Sequence, residues 1–397
     1  MTRHLLKLIW HRRRHNALLL LEMFLSFAVV FAVATAAVYF ARNYRQPLGF
    51  SVGDVWTVQA SSHADEVAGP TGESLATFDR LVREVRTLDP IVAAAELEVV
   101  PYSNSDEVSR QDVGGRTVRI DMNAAGEDLP RVMGLTLVAG RWFQAADEAL
   151  AWEPVVINRE LARLLYPHGD AVGQRYGKLD PKGEEREKRV VGVIADFRKS
   201  GELAGPGPYL FEPLRKKGHG VTNIMLKLRA GTPAAFEETL IRRLQALAPG
   251  WSFEVKPLAE MRDSSFRQRL VPLAIGGLIA FFLLFMAGLG LISVLWQNLL
   301  QRTREIGLRR ATGASRAAVR RKIVAEQLLV ATLALGVGAL IAAQLPLLPF
   351  ATFLSAGVLA GGALVAAATI YGLVFLCTLY PSGLASRVAP AEALRYE

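Results

Sequence analysis

An α+β domain inserted between the first and second of four membrane-spanning helices is the fold the sequence predicts, and three observations predict it. Charged residues are absent from residues 272–296 and 327–386, and residues 17–41 hold only Glu22. Each stretch reaches the roughly 20 residues that cross a bilayer core at about 1.5 Å rise per residue. Residues 42–270, between the first two apolar stretches, are far too many for a connecting loop and must fold. Finally, residues 302–326 carry eight Lys/Arg and two acids between two apolar stretches. Such a loop faces the cytosol under the positive-inside rule, which orients the whole chain.

Taken in order, residues 1–16 alternate Leu5, Leu6, Leu8, Ile9 and Trp10 with Arg3, Lys7 and Arg12–Arg14. That pattern suits a basic helix lying at the cytosolic interface; a solvated arm that only sets topology explains it as well. Residues 17–41 form the first span. They exceed the about 7–15 residues of a secretory apolar region, so they are expected to stay as an anchor. Glu22 lies only about one and a half turns inside, where it can snorkel toward the basic arm.

Residues 42–270 mix two periodicities. Strands are expected at 55–60, 117–121, 154–157, 189–194, 223–228 and 252–255, all rich in β-branched or aromatic residues. Helices are expected at 73–88 and 233–247, each with one apolar face, and after Asn158, which can cap a helix carrying Leu161, Leu164 and Leu165. Residues 178–189 and 201–208 are expected to be exposed loops.

Beyond the second span, 271–297, the segment 298–326 is expected to form a helix–turn–helix. Glu305 and Arg309 stand at i, i+4 with the acid first. Gly313 suits a left-handed position ending the first helix, and Ser315 suits the N-cap of a helix over 316–326. The third and fourth spans are placed at 327–345 and 353–379. Pro346 and Pro349 mark a short outer turn at 346–352, and 380–397 is a cytosolic tail. Gly357 and Gly361 let the fourth helix approach a neighbour closely.

The net charge of +9 does not imply nucleic acid. Five Lys/Arg lie in 1–16, eight in 298–326 and two in 380–397, leaving 31 of the 46 in 42–270 beside 32 of the 37 acids. The large domain is nearly neutral, and the positive excess marks cytosolic segments. Cys377, the single cysteine, excludes an internal disulfide. No GxxxxGK[ST], HExxH or Ser/His/Asp motif with recognisable context occurs in the 397 residues, and the six His are scattered or in the basic arm.

Residues 304–315, REIGLRRATGAS, closely resemble the signature loop of the MacB/FtsX class of ABC transporter permeases, where it separates the second and third transmembrane helices. The progression RWF (141–143), DEALAWEPVVINRELARLLYP (147–167), GDAVGQRYG (169–177) and KRVVGVIADFR (188–198) is similar to the periplasmic domain of that class. PSGLASRVAPAEALRYE (381–397) is similar to its closing motif. The resemblance implies a permease subunit of the bacterial inner membrane that couples ATP hydrolysis by a separate ATPase to movement of a periplasmic domain. It implies a cytosolic ATPase dimer, a second permease (identical or paralogous), and a periplasmic adaptor or effector. ATP and Mg would be bound by the ATPase, leaving this chain without catalysis, cofactor or metal. It assigns ATPase contact to Arg304, Glu305, Gly307, Arg310, Gly313, Ala314 and Ser315. An FtsX-like regulator of a cell-wall hydrolase or of lipoprotein extraction, and a membrane-anchored sensor or scaffold, are the other readings.

Overall fold

The computed structural model describes residues 13–62, 71–113, 116–177, 186–214, 222–347 and 354–385. They fall into two units, Asn43–Gln268 and Met1–Arg42 with Arg269–Glu397. In the first unit, α+β pairing begins with β1 (Val55–Ser62), α2 (Gly72–Val85) and β2 (Ile91–Leu97), α1 (Arg13–Tyr44) being the helix that precedes them. Thr71 and Ser74 cap α2 reciprocally, each side chain accepting from the other's backbone N–H. Phe78, Leu81, Val82 and Val85 then recur on one face and are buried.

The chain returns to this layer much later with β10 (Asn223–Leu228), α5 (Phe236–Leu247) and β11 (Trp251–Pro257). The order β11-β1-β10-β2, with every neighbour antiparallel, is the split βαβ arrangement of ferredoxin-like folds. Its core joins α2 and α5 to Trp56, Val58, Ile224 and Leu226.

The residues between β2 and β10 build a second lobe. In chain order they form β3 (Glu107–Val113), β4 (Arg116–Ala125), α3 (Leu129–Met133), β5 (Leu137–Gly140), β6 (Glu153–Asn158), α4 (Arg159–Leu165), β7 (Arg175–Tyr176), β8 (Lys188–Ile194) and β9 (Tyr209–Pro213). The strand order β4-β9-β6-β8-β5 mixes parallel (β4–β9, β6–β8) and antiparallel pairs. The two lobes share one register pair, Leu97 opposite Ala125. What unites them is a common aromatic core with Trp142 and Phe143 at 4.5 Å, Phe197 and Tyr209 at 4.7 Å, and Phe211 beside them. Offset and edge contacts at such distances suit aromatic quadrupoles.

Two buried asparagines tie strands to loops. Asn123 exchanges bonds with the Val99 backbone (2.9 and 2.8 Å) and donates to the Tyr209 hydroxyl at 3.0 Å. Asn158 caps α4 by accepting from Leu161 N at 3.0 Å, accepts from Tyr209 N at 3.0 Å, and donates to Gly207 O at 2.8 Å.

Each strand expected from the sequence lies within an observed one. β2, β3, β5, β7 and β9 had no expectation: β2 (IVAAAEL) is alanine-rich, β3 (EVSRQDV) is polar, and β5 is four exposed residues. Residues 201–208 need correction. They form a loop, but Gly201, Glu202 and Leu203 are buried, because Arg198 draws the carbonyls of Glu202 and Ala204 inward and the Asn43 amide donates to the carbonyl of Leu203. Of the other expected loop, 178–185 lies outside the described residues, and Lys188 and Arg189 belong to β8.

In the second unit, α1, α6 (Leu258–Gln301), α8 (Arg316–Ala342) and α9 (Ala356–Ala385) are long and apolar enough to cross a membrane. α6 begins thirteen residues before the span expected at 271, its polar start belonging to the outer domain. α8 merges the expected helix over 316–326 with the third span. The basic arm 1–12, residues 348–353 of the outer turn and tail residues 386–397 lie outside the described residues.

Replacing Asn158 by Ala removes a cap and leaves two buried backbone groups unpaired. The outer domain is expected to lose about 2–4 kcal/mol in urea unfolding. A loss below about 0.5 kcal/mol would show that the cap is dispensable.

Candidate functional site

The basic loop is built by two helix ends meeting at one glycine. After α6, Thr303 donates its hydroxyl to Leu299 O (3.0 Å) and Leu300 O (2.9 Å), closing the last turn of that helix. α7 (Thr303–Ala311) follows. Gly313 has φ +94°, and Ala314 N donates back to Arg309 O at 2.9 Å, the six-to-one bond of a Schellman ending. Space around Gly313 is open, so backbone conformation alone demands glycine there. Ser315 is extended (φ −68°, ψ 152°), and its hydroxyl accepts from Ala318 N at 3.2 Å, starting α8.

Two contacts brace this helix–turn–helix. Ile306 and Val319 are buried together, with Leu299, Ala314 and Ile323 packed around them. Arg302 pairs with Glu326 at 2.8 Å, both side chains mostly covered. No local pattern could reveal a pair 24 residues apart. Glu305 and Arg309 pair at 2.5 Å but are half exposed, which limits that bond to a few tenths of a kcal/mol.

The loop residues singled out from sequence separate by environment. Glu305, Gly313 and Ser315 are exposed, Ala314 is half-buried and Gly307 is buried. Arg304 and Arg310 belong to α7, and their side chains lie outside the described residues.

The membrane helices meet through glycine. A Cβ on Gly361 of α9 would approach Val38 of α1 to 3.2 Å, and one on Gly362 would strike Thr35. Gly276 of α6 faces Val33, and Gly338 of α8 faces the ring of Phe27. Helix α1 is thus seated on glycines from all three other spans, where small residues permit close approach. Gly357 lies beside Arg42, whose guanidinium donates to Ser355 Oγ at 2.9 Å. Glu22 rests its carboxylate against Gly290 of α6.

Within the outer domain, one buried cation organises the last turn of α1, the residues just after it and the opening of α6. Arg198 is 2% exposed and donates to the carbonyls of Asn43 (3.0 Å), Gln46 (3.0 Å), Glu202 (2.5 Å) and Ala204. Glu202 in turn pairs with Arg262 of α6 at 2.5 Å and accepts from the Tyr102 hydroxyl at 3.2 Å. Burial, then the neighbouring Glu202 carboxylate, pushes the Tyr102 phenol upward, so it stays a donor. Lys199, 5% exposed, pairs with Asp106 at 2.5 Å. Its hydrogen bond holds the Asp106 carboxyl below its ordinary value of 3.8.

An extracytoplasmic α+β domain carried between two of four spans, with a basic helix–turn–helix between the second and third, defines a multi-pass inner-membrane protein. The model of the MacB-like periplasmic core domain matches residues 17–243, and that of the FtsX-like permease C-terminal matches residues 277–390. The chain belongs to the MacB/FtsX-like permeases of ABC transporters. It is 27% identical over 343 residues to the macrolide export ATP-binding/permease protein MacB of Bordetella avium, covering 80% of this chain and 50% of that one. To the pyoverdine export ATP-binding/permease protein PvdT of Pseudomonas savastanoi it is 27% identical over 413 residues, covering 98% and 58%. The chain therefore spans about half the length of the curated relatives it matches. The crystal structure of the periplasmic region of MacB from Actinobacillus actinomycetemcomitans overlaps 56% of this chain and 97% of its own, at 15% identity and a TM-score of 0.38.

Arg198→Met should cost the outer domain about 3 kcal/mol or more, since it strands several buried carbonyls; thermal unfolding measures it. Asp106→Asn should flatten the acid limb of the same stability curve. A depressed carboxyl stabilises above its unfolded value and loses that contribution as pH falls through its folded value. An unchanged acid limb would show that the pair contributes nothing.

Proposed function

We propose that this permease transmits the work of an ABC ATPase from the cytosolic loop to the outer domain. The observation that carries the reading is the continuity of α8. It starts at the capped turn of Ser315 and runs without a break to Ala342. A 27-residue helix is about 40 Å long, so a displacement imposed at the turn is carried into the span rather than lost in a flexible link. The Ile306–Val319 contact and the Arg302–Glu326 pair make α7 move with α8.

The relatives named above are ATP-binding/permease proteins, whereas the 397 residues here contain no phosphate-cradling GxxxxGK[ST]. We infer that ATP and Mg are bound by a partner ATPase dimer and that this chain is non-catalytic. Two permeases, identical or paralogous, would sit over that dimer, with a periplasmic adaptor or effector receiving the motion. The contact residues are Arg304, Glu305, Gly307, Arg310, Gly313, Ala314 and Ser315, and Gly357 and Gly361 serve packing within the four-helix unit. Residues 42–270 join the membrane through α1 and α6, so displacement of those helices must displace the domain.

Two variants test the coupling. Gly313→Val places a branched side chain at a left-handed position, a strain of about 1–2 kcal/mol that misaims the start of α8. Glu305→Lys removes the pairing with Arg309 and adds a cation to a basic loop. Both are expected to insert and fold normally while losing ATPase association in co-purification, or losing coupling of hydrolysis to work. Wild-type association and activity in both would reduce the loop to a topology signal. The purified chain by itself is expected to hydrolyse no ATP, and sustained turnover by a homogeneous preparation would overturn the non-catalytic assignment.

A further inference from the structure

A groove of about 220 Å³ opens between the end of α6, α7 and the first half of α8. Its lining changes character along its length. In helix order Leu295, Leu299, Leu329 and Val330 form the floor toward the spans, Glu305, Arg309 and Lys322 line the end toward the turn, and the Arg302–Glu326 pair lies between. The floor residues on α8 lie just beyond Gln327, where the charge-free stretch begins. Lys322 precedes Val330 by eight residues, about 12 Å along the helix. The groove therefore crosses the level at which hydrocarbon gives way to headgroups.

Its charges are not balanced. Arg302 is matched by Glu326 and Arg309 by Glu305, but Lys322 forms no ion pair among the described residues. Arg320 and Arg321, exposed on the same helix, add to the positive field outside the groove. An apolar floor below an uncommitted ammonium is complementary to an anionic amphiphile. A side chain from a cytosolic protein would have to pass the headgroup layer to fill that floor, whereas an acyl chain already lies at that depth.

We propose that this groove binds an anionic phospholipid of the cytosolic leaflet, with the phosphate at Lys322 and one acyl chain along Leu299, Leu329 and Val330. Basic pockets between membrane helices on the cytosolic side are suited to such headgroups. A lipid held there would fill the space between α7 and α8 and stiffen their joint motion. Glu305 and Ala314, assigned above to ATPase contact, also line this groove, so the lipid and the ATPase would meet on adjoining surfaces.

The test uses the full chain in nanodiscs of phosphatidylcholine carrying a trace of photoactivatable phosphatidylglycerol, with crosslinking measured against added unlabelled phosphatidylglycerol. Lys322→Gln is expected to weaken retention about fivefold, the worth of one cation near an anionic membrane surface. Arg320→Gln, on the same helix but outside the groove, should change it less than about twofold if the site is local. Leu329→Trp, which fills the floor without altering charge, should also lower crosslinking while size-exclusion profiles stay normal. Soluble glycerol phosphate should not compete, because it lacks the chain that the floor accepts. Equal effects of Lys322→Gln and Arg320→Gln would overturn the proposal in favour of a diffuse surface potential. Full competition by glycerol phosphate would overturn it in favour of a headgroup-only anion site. Unchanged lipid crosslinking in Leu329→Trp, together with lost ATPase association, would overturn it in favour of a protein occupant.

Discussion

Hydrocarbon accepts almost no unpaired charge and no unsatisfied backbone, and this constraint orders the rest of the chain. It forces four long helices, because only complete internal hydrogen bonding can cross the bilayer core. It gathers the surplus cations into the loop between α6 and α8 and into the terminal segments, leaving the large outer domain nearly neutral. Even the exceptions follow it. Glu22 lies near the basic end of its span, against Gly290, where no side chain displaces its carboxylate.

Within the spans there is little hydrophobic force to hold helix to helix, since lipid chains are as apolar as Leu. Close packing has to do the work, and glycine supplies it. Gly276, Gly338, Gly361 and Gly362 let three helices approach α1 at Val33, Phe27, Val38 and Thr35. The exposed face of α6, with Phe281, Phe282 and Phe285, is by contrast suited to lipid. In the outer domain water supplies the force instead. With no disulfide available, the two lobes depend on a shared aromatic core and on buried polar ties.

The Arg198 network shows why buried charge is tolerated there. One guanidinium satisfies carbonyls from the last turn of α1 and just beyond it and from the loop 198–204, and Glu202 of that loop holds Arg262 of α6. Such a cation would be costly unpaired, but each donor has an acceptor. Within the outer domain, Asn43 and Gln46 at its start and Arg262 near its end are therefore held by directional bonds as well as by apolar contact.

Much of this was legible in the sequence because it rests on short-range physics. Span length, the cation bias of 302–326, the glycine ending of α7 and the Ser315 cap all depend on residues within a few positions of one another. The alternating strands at 55–60 and 189–194 are equally local. What tertiary structure alone decided depends on partners far apart in the chain. The start of the loop, 201–203, is buried because Arg198 turns the Glu202 and Ala204 carbonyls inward. The alanine-rich strand Ile91–Leu97 exists because Asn223–Leu228 pairs with it across more than a hundred residues. Arg302 and Glu326 meet only because the turn at Gly313 folds α7 back on α8. Composition and periodicity determine which segments leave water and which face the cytosol; the choice of partners is a matter of distance in space, which no local pattern records.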